Sequence, residues 1–351
     1  MKSREPLNLP RFGLAGKATA IGSLPHRDPG AARRAVLAHL REVPAWPQLP
    51  RRSFLENMYV QFSEGFPGLV LEGERVYVER RAPLDAPLEA LYQAYLDGRG
   101  DAYPISADYA AGLHLFLQEK PGSALAMKGQ VVGPVSWGLA VMDGDGRPVL
   151  YDDVLADAVA RFLRLKASWE EAELRKLARS TIIFVDEPSF ASLGSAFVSV
   201  EKEKARALLE EVLGGIRGLK GVHCCGNTDW SLILTSSTDI LNLDAYEHAQ
   251  SLCLYPQEIR AFLKKGGVIA WGIVPTQEAA LAGETAASLF DRLEEAIEMT
   301  ADKGFLHRDL VERSMVTPAC GLTSVSEEAA EHALELLSGV SKRLQQKYNL
   351  G

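Results

Sequence analysis

The sequence predicts an α/β protein built as a (β/α)8 barrel, and three observations carry that expectation. Short apolar runs rich in β-branched residues alternate with long amphipathic stretches, the pattern of repeated β/α units. Eight such runs can be found. No Gly-x-Gly-x-x-Gly follows the first of them, so a doubly wound dinucleotide fold has no support. At 351 residues the chain is long enough for two average domains, but barrels of about 250 residues and more fold as one unit. A single barrel domain over residues 1–351 is therefore expected.

The strands are expected at residues 18–21, 43–47, 124–129, 181–185, 222–225, 240–243, 268–273 and 314–316. In the stretch 154–177, Leu155, Ala158, Val159, Phe162, Leu165 and Trp169 recur at helical spacing with charges opposite. Stretches 204–216, 286–301 and 327–348 read the same way, the last with a capping box of Ser324 and Glu327. About sixty residues, 64–122, separate the second and third strands, well beyond the ~2–6 residues of an ordinary βα loop. They are expected to hold a hairpin (69–72 with 75–79) and helices near 88–96 and 107–118, as an insertion or flap within the barrel.

Composition narrows the function classes. Lys and Arg total 38 against 46 Asp and Glu, a formal charge of −8, with no long run of like charge. That balance speaks against a nucleic-acid or anionic-membrane surface, which needs a basic stripe. No apolar run reaches the ~18 residues of a membrane span, and Met1–Pro6 leads into no signal-peptide core. Four cysteines are too few for a disulfide scaffold. The expectation is a cytoplasmic protein whose cysteines serve metal or catalysis.

Barrel enzymes place their chemistry at the C-terminal ends of the strands. Here these ends carry Ser23, Asp186, His223, Cys225, Asp244 and Cys320. His223 and Cys225 are two apart on one strand ending, so period-two alternation points both to one face and Cys224 to the other. Cys320 ends the last strand, and Asp244 ends the strand after His223. Nitrogen, two sulfurs and a carboxylate oxygen from three strand ends suit tetrahedral zinc. A buried thiol beside a satisfied histidine is the rival explanation, and Cys253, in a helical stretch, illustrates it.

Beyond this, His223-Cys224-Cys225-Gly226-Asn227-Thr228 resembles the zinc motif of the uroporphyrinogen decarboxylase-like methyltransferases, which pass methyl groups from corrinoid proteins to thiols. Five further segments are similar to the catalytic half of cobalamin-independent methionine synthase: Ile21-Gly22-Ser23-Leu24-Pro25, Gly133-Pro134-Val135, Val185-Asp186-Glu187-Pro188, 239–244, and Pro318-Ala319-Cys320-Gly321-Leu322. In order and spacing these cover about residues 18–325.

The resemblance implies Zn²⁺ on His223, Cys225 and Cys320, with Asp244 as the acidic ligand. Asp is one methylene shorter than the family's Glu, so Glu247 is a rival to it. It also implies homocysteine binding by Ser23, by Asp186 at the ammonium group, and by Glu56, where the alignment is loose by a residue or two. Trp137 either lines the pocket or is an ordinary packing tryptophan.

Two departures bear on the methyl donor. The duplicated N-terminal half of the long synthases is missing, and Ile273 stands where they carry a histidine resembling the proton donor to folate. Methyltetrahydrofolate must be protonated as it leaves, and general acid help is worth about 10²–10⁴-fold. A methylcorrinoid leaves as Co(I) and needs no proton. The expectation is therefore methyl transfer to homocysteine, giving methionine, from methylcobalamin or a corrinoid protein. Another small thiol resembling coenzyme M, a porphyrin-decarboxylase-type lyase, and a non-catalytic zinc or corrinoid-binding module are the alternatives.

Remaining features weigh less. Met142-Asp143-Gly144-Asp145-Gly146 reads as a solvated turn, since the downstream Glu of a calcium loop is missing. His26 reads as a surface-loop residue, and His248 as a neighbour of the metal site.

Overall fold

The computed structural model describes residues 13–81, 83–119, 122, 124–195 and 198–350, so Met1–Pro6 lies outside the described residues. The described residues form nine strands: β1 (Leu69–Glu72), β2 (Arg75–Val78), β3 (Met127–Val132), β4 (Met142–Asp143), β5 (Thr181–Asp186), β6 (Leu219–Cys224), β7 (Ile240–Asp244), β8 (Val268–Val274) and β9 (Ser314–Pro318). Six of them make a curled parallel sheet in the order β3-β5-β6-β7-β8-β9. Long helices connect them: Asp153–Leu174, Lys202–Leu213 and Ala286–Ala301, with Glu327–Tyr348 after the last strand. The architecture is barrel-like, but the ladder is six-stranded rather than a closed ring of eight.

The two missing strands, 18–21 and 43–47, correct the expectation, and their sequences explain why. Pro44, Pro47 and Pro50 recur every third residue, and proline has no N–H for a ladder. Gly22 stands at φ +146°, in a region that side-chain-bearing residues rarely adopt. Both segments run beside the sheet, pairing with it through isolated parallel bridges, Ala18 to Val316 and Ala45 to Lys128, and through side-chain bonds from Lys128 Nζ to Ile21 O and from Gln130 Nε2 to Trp46 O. They meet one another at Ser23 and Gln48.

Residues of alternating parity separate the two faces of the sheet. Ile182 and Phe184, Ile240, Val268, Ala270 and Met315 pack together with Leu14, Val43 and Ala126 on the concave face. Ile183 and Val185, Leu241, Leu243 and Trp271 join the larger core under the helices. Continuing the concave parity toward the strand ends gives Asp186, His223, Asn242 and Thr317, all buried. The apolar floor thus turns polar toward the strand ends.

Residues 64–122 form the expected hairpin and two helices, Asp85–Leu96 and Ala111–Phe116. This segment packs firmly: Phe66 and Tyr103 each set an edge against Phe162 at 5.3 Å, and Arg161 lies 4.4 Å over the Tyr95 ring. The capping box at 324–327 does not form. Ser326 caps the last helix through Ala329 N, while Ser324 Oγ donates to Thr276 O. Asp143 accepts from Asp145 N and Arg147 N, closing the 142–146 turn, though its own carboxylate is buried. Among the described residues no helix is long and apolar enough to cross a membrane.

Candidate metal centre

His223, Cys225 and Cys320 converge. One ligand atom from each lies within 4.8 Å of the others. His223 sits in β6, Cys225 one residue beyond that strand, and Cys320 two residues beyond β9. The imidazole is buried and the thiols half-buried. His223 Nδ1 lies 2.5 Å from Asn242 Oδ1, while Nε2 is buried without a hydrogen-bond partner. Around tetrahedral zinc such N···S and S···S separations would be about 3.6 and 3.8 Å. The observed bound of 4.8 Å is compatible with that geometry, and an orphaned buried nitrogen beside two thiols suits the ion's preference for N and S donors. The residues present fit zinc.

Asp244 is not part of this cluster. Its carboxylate accepts from Glu247 N at 2.9 Å and caps the helix Ala245–Leu252, and Glu247 itself is solvent-exposed. The helix begins directly at the strand end, so the first free N–H groups compete for the short Asp side chain. Cys224 packs in the core on the opposite side of β6, and Cys253 is buried against Ala249 and Thr300.

A cavity of about 360 Å³ opens over the cluster. Ser23, Glu56 and Asp186 all line it together with the three candidate ligands. Pro50, Met58, Tyr59 and Pro188 make its apolar wall. Ser23 packs against the backbone at Gly321, next to Cys320; a Cβ on Gly321 would collide with Ser23 Oγ. Leu322 N fixes the segment by donating to Ser23 O at 2.9 Å. Trp137 does not line the cavity. It is fully buried, and its indole N–H donates to Tyr59 O and Ser63 Oγ at 3.0 and 2.9 Å, so it supports the wall from behind. His26 is buried rather than on the surface, and is not a lining residue.

Burial dominates the electrostatics. Asp186 is pushed up to about 6 by desolvation, against the opposing pull of Lys128 and His223. Its Oδ1 has no partner, so the carboxylate is free to accept from a ligand N–H. Glu56 is also raised by desolvation; one oxygen pairs with Arg52 and the other has no partner. Cys225 is lowered to about 4, first by the hydrogen bond from Cys320 and then by His223, while Cys320 moves upward. Burial opposes protonation of His223, but Cys225, Asp186 and Asn242 outweigh it and the net direction is upward.

Several participants were not among the residues expected from sequence. Tyr59 and Met58 escaped notice because they belong to a four-residue helix, Met58–Gln61, too short to show a periodic pattern and carrying no motif. Lys128 is buried, donates to Ile21 O and Gln130 Oε1, and lies 4.5 Å over the Phe184 ring. A lysine inside an apolar strand is itself a signal, since lysine is almost never fully buried without a partner. Asn242 in Ile-Leu-Asn-Leu-Asp offered the same signal, a lone amide in a strand that is otherwise buried.

No protein-family model matches the chain, and no curated protein matches it. Among solved structures, the chain is similar to that of a B12-independent methionine synthase from Shewanella sp. W3-18-1 in complex with selenomethionine, with 19% identity and a TM-score of 0.44. The likeness covers 63% of this chain and 63% of that one, so the chain spans less than two thirds of the length of the structure it resembles.

Proposed function

We propose that the protein is a zinc-dependent methyltransferase that methylates the thiol of homocysteine to give methionine, with a methylcorrinoid as donor. The observation that carries this reading is the convergence of His223, Cys225 and Cys320 on a cavity that also presents Asp186. We read the fold as a (β/α)8 barrel whose first two staves, 18–24 and 43–50, are irregular.

His223, Cys225 and Cys320 would hold the ion through one nitrogen and two sulfurs. Zinc, when bound, supplies the positive charge that keeps an incoming thiol, ordinarily near ~8.5, deprotonated at neutral pH. Asp186 accepts from the substrate ammonium through its unpartnered oxygen, and Ser23 faces the amino-acid end. Met58, Tyr59 and Pro188 wall the thiol from solvent. The sulfur then forms its bond to the methyl carbon as the carbon–cobalt bond breaks, and the electron pair leaves with cobalt as Co(I). No proton is needed by that leaving group.

The test is zinc content of wild type, Cys225→Ser and Cys320→Ser, followed by methionine formation from homocysteine with methylcobalamin and with methyltetrahydrofolate. About one zinc per chain is expected, as befits a single three-ligand site, with loss in both variants and turnover from methylcobalamin alone. Turnover from the folate would overturn the donor assignment. A wild-type protein without metal would overturn the whole reading.

A further inference from the structure

We infer that Asn242 is the residue that positions the metal-binding histidine, by fixing which imidazole nitrogen carries the proton. Asn242 is fully buried in β7, and its Nδ2 lies 2.8 Å from Ala270 O and 2.8 Å from Thr317 Oγ1. A backbone carbonyl can only accept, so the NH2 side of the amide must face Ala270. Oδ1 is thereby turned toward His223, 2.5 Å from Nδ1. An amide oxygen can only accept as well, so Nδ1 carries the proton. In the neutral ring Nε2 is then a bare lone pair, and it is the atom left buried without a partner beside the cysteines.

Four neighbouring strands share this device. β6 supplies the histidine, β7 the amide, and β8 and β9 the acceptors that orient it. The strands pair in register, His223 with Asn242 and Asn242 with Ala270, so the relay is built into the ladder and does not depend on a mobile loop. An imidazole held by its second nitrogen binds metal in a defined tautomer and orientation, and loss of such a partner costs about 10–100-fold in metal affinity.

The inference deepens the zinc reading above, and its test separates the two. Zinc and cobalt(II) dissociation constants are measured by chelator competition for wild type, Asn242→Leu and Thr317→Val, with circular dichroism to confirm folding. Asn242→Leu, similar in volume, is expected to weaken binding about 10–100-fold, while Thr317→Val, which leaves Ala270 O to orient the amide, keeps the affinity close to the wild-type value. A folded Asn242→Leu protein with wild-type affinity would overturn the role. Should that variant not fold, long-range ¹⁵N spectra of metal-free wild type at alkaline pH read the tautomer directly. A proton on Nδ1 of His223 is expected; a proton on Nε2 overturns the inference. Wild type that binds no metal sinks the zinc reading, and the same spectra still decide the tautomer.

Discussion

Asp186 is the side chain on which choice of acceptor turns. Its buried, unpartnered oxygen has no structural duty to fulfil, unlike Glu187 next to it, which accepts from Val135 N, Ser136 N and Ser136 Oγ. Hydrogen bonds to charged groups are worth about 1.5–3 kcal/mol. Asp186→Ala is therefore expected to raise the homocysteine KM by about ten- to a hundredfold, with zinc content unchanged in the same preparation. An unchanged KM would remove the amino acid from the acceptor assignment. Glu170 makes a different prediction. It is fully buried, pushed up to about 8 by desolvation, and accepts from Trp46 Nε1 and Gln130 N. Its folded value lies above the ordinary one, so the folded state binds more protons in between, and stability falls as pH rises from about 4.5 to about 8. Glu170→Gln should flatten that part of the stability profile, read by urea unfolding across the range; a profile as steep as wild type would refute it. At this scale the sequence showed thiols, imidazole and strand-end carboxylates, because their chemistry is rare and their parity readable. It did not show that Trp137 stands behind the wall or that Asp244 caps a helix, since both depend on where loops run in space.

At the scale of elements, strand ends decide what can be recruited. β7 passes into the helix Ala245–Leu252 with no intervening loop, and Asp244 becomes the cap. Asn caps a helix about as well as Asp, whereas Ala costs about 1 kcal/mol. Asp244→Asn is thus expected to keep both stability and zinc content, and Asp244→Ala to lose stability alone. Zinc lost from Asp244→Asn would show that the carboxylate leaves its cap to bind metal. A second junction lies after β3, where the buried Glu187 carboxylate occupies the N-terminus of the helix Pro134–Ala140. Gly133 is required there, because a Cβ would collide with that carboxylate. Gly133→Ala should destabilise the fold by about 1–3 kcal/mol, as overpacking does, measured by denaturant midpoint. The regular elements were legible wherever β-branched runs and amphipathic periodicity continued undisturbed, as in β5, β8 and the helices Ala286–Ala301 and Glu327–Tyr348. The segments 18–21 and 43–47 looked like strands by apolar content. Prolines and Gly22 prevailed there, and hydrophobicity alone does not report a missing N–H.

Across the whole molecule the cavity has two walls of different construction. Asp186, His223, Cys225 and Cys320 stand on or just beyond strands of the six-stranded ladder, while Ser23 stands on irregular backbone and Glu56, Met58 and Tyr59 on two short helical turns, Phe54–Glu56 and Met58–Gln61. The irregular segments are held by scattered backbone bonds, such as Trp46 N to Lys128 O and Gln48 N to Gly22 O. Amide hydrogens of residues 16–24 and 44–61 should therefore exchange by local opening well before those of β5 to β8, which need larger unfolding. Equal protection of both groups would contradict this division. The construction also bears on how such a protein could change over generations. Substitutions in the wall built by residues 48–59 reshape the cavity without disturbing the register that holds the candidate ligands. On the thiol-methylating function proposed above, a lineage could therefore exchange one thiol substrate for another through a handful of replacements between residues 48 and 59, keeping the His223, Cys225 and Cys320 cluster intact while its diet shifted.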